Sequence, residues 1–125
     1  MLLNELYTVT ALNPDALREN ITAEVALNPE HPVFAGHFPG NPILPGVCTV
    51  QIVKEILELV FNTGMILEKA GNIKYLGFVS PVLSPAMLFT LSAKENESGG
   101  LSCSATVNAA GKTVCTFKGE YRRWK

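Results

Sequence analysis

Apolar and polar positions alternate most cleanly at Ile21–Leu27. Ile21, Ala23, Val25 and Leu27 fall on one side of an extended chain, Thr22, Glu24 and Ala26 on the other. A period of two predicts a half-buried strand, ended by Asn28-Pro29. A looser alternation over Glu5–Leu12 predicts a strand before it. Asn13-Pro14-Asp15 breaks that strand, and Asp15–Asn20 reads as a turn or short helical piece. From Val47 to Asn62 the period changes. At about 100° per residue, Gln51, Lys54, Glu55, Glu58 and Asn62 gather in one polar stripe, and almost every other position is Val, Ile, Leu, Phe or Cys. This predicts one long helix, stopped by Thr63-Gly64. So wide an apolar surface needs a curved sheet around it, or a sheet on one side and a partner on the other.

The second half supplies β-rich runs. Gly71–Phe78 contains an extended stretch, Pro81 and Pro85 bracket a bend, and Met87–Lys94, Leu101–Ala109 and Lys112–Tyr121 read as strands. Glu97-Ser98-Gly99-Gly100 and Ala110-Gly111 are the turns, the second short enough for a tight hairpin. The expected class is α+β, with mostly antiparallel strands and one central helix. Its 125 residues fit a single domain over 1–125.

Composition narrows the function classes. With 47% hydrophobic and 17% charged residues, the chain is too apolar for disorder and has apolar surface to spare for a subunit interface. A net charge of −1 without a basic block argues against nucleic acid. The segment MLLNELYTVT has no positive n-region and no apolar run is long enough for a membrane span, so a cytoplasmic protein is expected. Cys48, Cys103 and Cys115 form no metal-type pair and read as reduced thiols. Cys48 lies near a helix start, where a thiolate is favoured, but its neighbours Val47 and Val50 are apolar. Lys118, Arg122, Arg123 and Lys125 form a basic C-terminal group, either solubilising charge or a patch for an acidic partner.

Candidate chemistry concentrates in GHFPGNPILPGVCTVQ, Gly36 to Gln51. Pro39, Pro42 and Pro45 stiffen the loop, and Gly36, Gly40 and Gly46 allow close approach of another group to the backbone. The loop therefore holds His37 in a defined place. The helix starts just after Pro45-Gly46, and its unpaired N–H groups can receive a carbonyl oxygen that is gaining charge. A positioned imidazole beside such a donor site suits removal of a proton next to a carbonyl. A hydrogen-bonded structural histidine is the alternative reading of His37. His31 reads as a surface or capping residue, Tyr75, Phe78 and Met87 as core or tunnel lining, and Lys54 and Glu58 as solvated or interface charges.

His37-Phe38-Pro39-Gly40, Pro42 and Leu44-Pro45-Gly46-Val47, followed by Ile73-Lys74-Tyr75-Leu76-Gly77-Phe78-Val79-Ser80-Pro81-Val82, resemble the β-hydroxyacyl-ACP (acyl carrier protein) dehydratases, members of the hot-dog superfamily. The resemblance covers most of the chain and loosens over the first twenty residues. It implies a long helix wrapped by a curved antiparallel β-sheet, and a homodimer or higher oligomer with acyl tunnels at the interface. It also implies dehydration of a (3R)-hydroxyacyl thioester to the trans-2-enoyl product. His37 would be the base, Gly46 and Val47 the carbonyl-binding amides, and Phe38, Pro39, Gly40 and Pro45 the surrounding substrate loop. The substrate would arrive on the phosphopantetheine of acyl carrier protein or coenzyme A, with no metal or redox cofactor.

The family's acidic residue, contributed by the other subunit, corresponds to Gln51, and an amide is a far poorer acid than a carboxyl. Acid help is typically worth about 10²–10⁴-fold. The family commonly has glutamine one turn after its acid; here Glu55 follows Gln51 by four residues, on the same helix face. Glu55 could reach the site through water or through Gln51, or be an ordinary polar helix residue. Two other functions compete with dehydration: thioester hydrolysis on the same scaffold, and a non-catalytic acyl-binding subunit, including one half of a heterodimer.

Overall fold

The computed structural model describes residues 1–124. Six antiparallel strands form one sheet in the order β1-β2-β4-β5-β6-β3, and the helix α2 packs on it. The strands are β1 (Tyr7–Pro14), β2 (Asn20–Leu27), β3 (Gly64–Tyr75), β4 (Ala86–Glu95), β5 (Leu101–Ala109) and β6 (Lys112–Trp124). A one-turn helix α1 (Val33–Gly36) precedes the Gly-Pro loop, and α2 spans Gly46–Phe61. Among the described residues no helix is long and apolar enough to cross a membrane.

The period-two readings locate the strands well. In β4 the exposed Leu88, Thr90, Ser92 and Lys94 alternate with buried Met87, Phe89, Leu91 and Ala93. The β5–β6 hairpin turns at Ala110 (φ 53°) and Gly111 (φ 75°), the two left-handed positions that a tight two-residue turn requires. Asp15 organises the β1–β2 turn, accepting from the backbone N–H groups of Glu19 and Asn20 and from Asn20 Nδ2. The first strand begins two residues later than expected, because Glu5 and Leu6 belong to a turn closed onto Leu2.

Strand β3 departs most from expectation. The sequence marked only its second half, yet β3 pairs with β6 from Gly64↔Trp124 to Tyr75↔Cys115. Its register slips between Leu67 and Lys69 and again between Ala70 and Ile73. Such bulges destroy the alternation that identifies a strand.

Helix α2 ends at Asn62, which adopts the left-handed cap conformation (φ 54°, ψ 43°) one residue before the predicted stop. It buries Ile52, Val53, Ile56 and Leu57, each side chain contributing roughly 1.5–3 kcal/mol of apolar burial. Lys54 and Glu58 form an i,i+4 pair at 3.2 Å within the helix. Glu58 also accepts from the N–H of Met65 at the start of β3, so it has a structural role as well as a surface one.

The strand order leaves β1 and β3 at the sheet edges. Beside the β3 edge stand Tyr75, Leu76 and Phe78, the last 84% exposed.

Candidate functional site

The Gly-Pro loop is held by its own backbone and by the segment after β3. Phe38 and Asn41 exchange N–H···O bonds, Ile43 N–H donates to the His37 carbonyl at 2.9 Å, and Leu44 N–H donates to the Val79 carbonyl at 2.9 Å. His37 is half-buried, and its Nδ1 lies 3.0 Å from the Ile43 carbonyl oxygen. A carbonyl only accepts, so Nδ1 carries the proton and neutral His37 has its lone pair on Nε2. The ring stacks on Phe38 with centroids 4.1 Å apart, across a cis His37–Phe38 peptide bond.

His37 stands at the wall of a cavity of about 600 Å³, lined also by Phe38, Gly46, Val47, Tyr75 and Phe78. Pro45 precedes α2 in an extended conformation. Among the described residues the N–H groups of Gly46 and Val47 have no partner, and both residues line this cavity. A Cβ on Gly46 would stand 2.6 Å from Tyr75 Cε1, so the absence of a side chain lets the Tyr75 ring lie against the helix start. The cavity thus combines an imidazole with a free nitrogen, unpaired backbone donors and apolar walls. Proton transfer next to a polarised carbonyl is the chemistry those groups can perform.

The remaining expected site residues sit elsewhere. Pro39 and Gly40 line a separate cleft with His31, whose Nδ1 accepts from Val33 N–H and caps α1. Gln51 faces a small pocket of about 290 Å³ with Met1, Leu2, Val47 and Cys48. His37 and Gln51 therefore share no cavity within one chain. Tyr75 and Phe78 line the His37 cavity as expected of tunnel residues, whereas Met87 is core. Burial pushes the Cys48 pKa up, against the thiolate that a helix start would favour.

Glu55 is not an ordinary polar helix residue. It is fully buried, and its carboxylate accepts four hydrogen bonds. Leu2 N–H and Leu3 N–H donate at 2.9 and 2.8 Å, Tyr7 OH at 2.9 Å and Gln51 Nε2 at 2.8 Å. Burial is the largest influence on its pKa and acts upward, but the four donors together hold the carboxyl below the usual glutamate value. Burial and the Glu55 carboxylate in turn raise the Tyr7 phenol. The sequence contained Tyr7 and the N-terminal leucines but no local signal that they would meet Glu55.

The expected basic C-terminal group is dispersed. Arg122 pairs with Glu68 and Arg123 with Glu95, Lys118 lies on the outer sheet face near Lys69 and Lys94, and Lys125 lies outside the described residues.

Comparison with known proteins agrees with this architecture. The fold is that of the hot-dog proteins. It superposes on the dehydratase heterocomplex ApeI:P from Xenorhabdus doucetiae with a TM-score of 0.68 at 20% identity, over 92% of this chain and 96% of that one. A hypothetical thioesterase with coenzyme A from Streptococcus pneumoniae gives a TM-score of 0.65 at 6% identity, over 94% and 85% of the two chains. The family model for ApeI-like proteins, described as ApeI dehydratase, matches residues 14–118, and the chain belongs to that family. Among curated relatives, the 3-hydroxyacyl-(acyl-carrier-protein) dehydratase FabZ of Lactiplantibacillus plantarum is 29% identical over 77% of this chain and 67% of its own. The FabZ of Zymomonas mobilis is 37% identical over 46% of this chain, a stretch spanning 36% of that relative's length.

Proposed function

We propose that the protein acts on 3-hydroxyacyl thioesters carried by acyl carrier protein, eliminating water to give the trans-2-enoyl thioester. The observation that carries this reading is the His37 Nδ1–Ile43 carbonyl bond, which leaves Nε2 free at a cavity shared with the α2 helix start. The thioester carbonyl would accept from Gly46 and Val47 N–H, and Nε2 would take the C2 proton. The hydroxyl at C3 leaves with one proton as water, so the proton taken from C2 is balanced by one delivered to that oxygen. Gln51 can hydrogen-bond the hydroxyl or a water but has no carboxyl proton to give. Glu55 is a poor source, because its carboxylate is occupied by four donors and held ionised. The proton then comes from the imidazolium that His37 has become, or from a carboxyl of another subunit.

The second source motivates a second reading, in which this chain is one member of a heteromer whose related partner supplies the acid. It is favoured by the amide at position 51 and by the heterocomplex found for the fold neighbour ApeI:P. The exposed apolar residues beside the β3 edge suit pairing with a second chain in either reading.

Turnover of 3-hydroxyacyl-acyl-carrier-protein of several chain lengths tests the proposal. Dehydration by the wild type, lost in His37→Ala, supports it. An inert wild type that gains turnover only when mixed with a related, acid-bearing chain supports the heteromer. Inertness under both conditions, with acyl binding intact, would leave a binding subunit.

A further inference from the structure

The amide at position 51 has a donor half and an acceptor half, and the groups behind it decide which faces outward. Glu55 lies one helical turn further on, fully buried, and Gln51 Nε2 donates to its Oε2 at 2.8 Å. The same oxygen accepts from Leu2 N–H, while Oε1 accepts from Leu3 N–H and Tyr7 OH. An ionised carboxylate has no hydrogen to offer, so only the NH₂ half of Gln51 can turn towards it. Gln51 Oε1 makes no hydrogen bond among the described residues, and the side chain borders the pocket formed with Met1, Leu2, Val47 and Cys48.

We infer that Glu55 is a positioning residue that locks the Gln51 amide with its carbonyl oxygen outward and pins the N-terminal turn beside it as the pocket wall. Position 51 thereby presents a hydrogen-bond acceptor, suited to a hydroxyl group or a water molecule. The inference rests on the dehydratase reading only for the identity of that donor, the 3-hydroxyl of the acyl chain. The lock itself requires no substrate. Three further donors act on the carboxylate, so it is fixed independently of Gln51 and can orient the amide rather than be oriented by it.

Gln51 is the single glutamine of the chain, so glutamine-selective ¹⁵N labelling yields one side-chain NH₂ signal. In the wild type without substrate, its hydrogens should exchange roughly tenfold or more slowly than a free amide, and in a uniformly labelled sample the Leu2 and Leu3 amides should also be protected. In Glu55→Ala, which removes the acceptor and keeps Gln51 the single glutamine, the Gln51 signal should move to free-amide behaviour. Tyr7→Phe removes a donor from the other carboxylate oxygen and should leave the Gln51 signal in place. Three results would overturn the inference: free exchange of the Gln51 NH₂ in the folded wild type, a signal unmoved by Glu55→Ala in a protein with native circular dichroism, or release of the signal by Tyr7→Phe. Should Glu55→Ala fail to fold, the wild-type exchange and the Tyr7→Phe arm still decide. Dehydration by a wild type whose Gln51 amide exchanges freely would keep the proposed function and remove this inference, and the reverse pattern would do the opposite.

Discussion

The His37 wall and the Gln51–Glu55 wall border different pockets beside the α2 helix start and are built on opposite principles. At His37 one ring nitrogen is tied to the Ile43 carbonyl and the other is left free at a 600 Å³ cavity. At Glu55 every strong acceptor is satisfied, and the carboxylate is sealed beneath the N-terminal turn. An ionisable group ready for chemistry keeps a vacancy; one that holds structure together has none. The difference separates His37, whose Nε2 makes no hydrogen bond among the described residues, from the Glu55 carboxylate, which is committed to architecture.

Substitutions should affect the two walls in different ways. His37→Ala should lower dehydration on the order of 10²–10⁴-fold, with the melting temperature nearly unchanged, since the ring makes one hydrogen bond and one stacking contact. Glu55→Ala should act chiefly on stability. It leaves two backbone N–H groups and a phenol without their acceptor and should cost on the order of 3 kcal/mol in denaturant unfolding. A loss below 1 kcal/mol would mean that the N-terminal turn is not held by this carboxylate.

The Glu55 contribution should also depend on pH with a definite sign. Its folded pKa lies below the ordinary 4.5, so its stabilisation is full above about pH 4.5 and is lost as pH falls through the lower folded value. Exposed Asp15 is shifted the same way, by its bonds to Asn20 first, so the measured quantity is the stability difference between wild type and Glu55→Gln. That difference should shrink on acidification below pH 4.5; a difference that grows would contradict an ionised Glu55. Smaller still is the contrast between two buried tyrosines. Tyr7→Phe removes a bond to a carboxylate and should cost about 1.5–3 kcal/mol, whereas the Tyr121 hydroxyl has no partner among the described residues, so Tyr121→Phe should be neutral or stabilising. Equal losses at both positions would remove the special standing of the Glu55 cluster.

What the sequence made legible follows the same division. The His37 wall is local: eleven residues of glycine and proline grammar, Gly36 to Gly46, and the helix they launch are contiguous, so the loop, the helix start and the candidate base were all readable. The Glu55 wall is not local. On a helical wheel Glu55 sits in a polar stripe, and only the return of Leu2, Leu3 and Tyr7, some fifty residues away in sequence, buries it. Strand β3 was half legible for a related reason, since Met65-Ile66-Leu67 is a continuous apolar run followed by a bulge, and neither carries a period of two. The dispersal of the basic C-terminal residues was equally invisible, because their partners Glu68 and Glu95 lie on other strands.

The fate of the proton at C2 reports on His37 directly. Hydration of a 2-enoyl-acyl-carrier-protein in deuterated water runs the proposed elimination backwards and delivers deuterium to C2 from the residue that serves as base in the forward direction. Wild type, alone or with a related acid-bearing chain, should incorporate one deuterium at C2, and His37→Ala should incorporate none. Equal incorporation by wild type and His37→Ala would show that another group handles that proton and would contradict the assignment of His37 as the base.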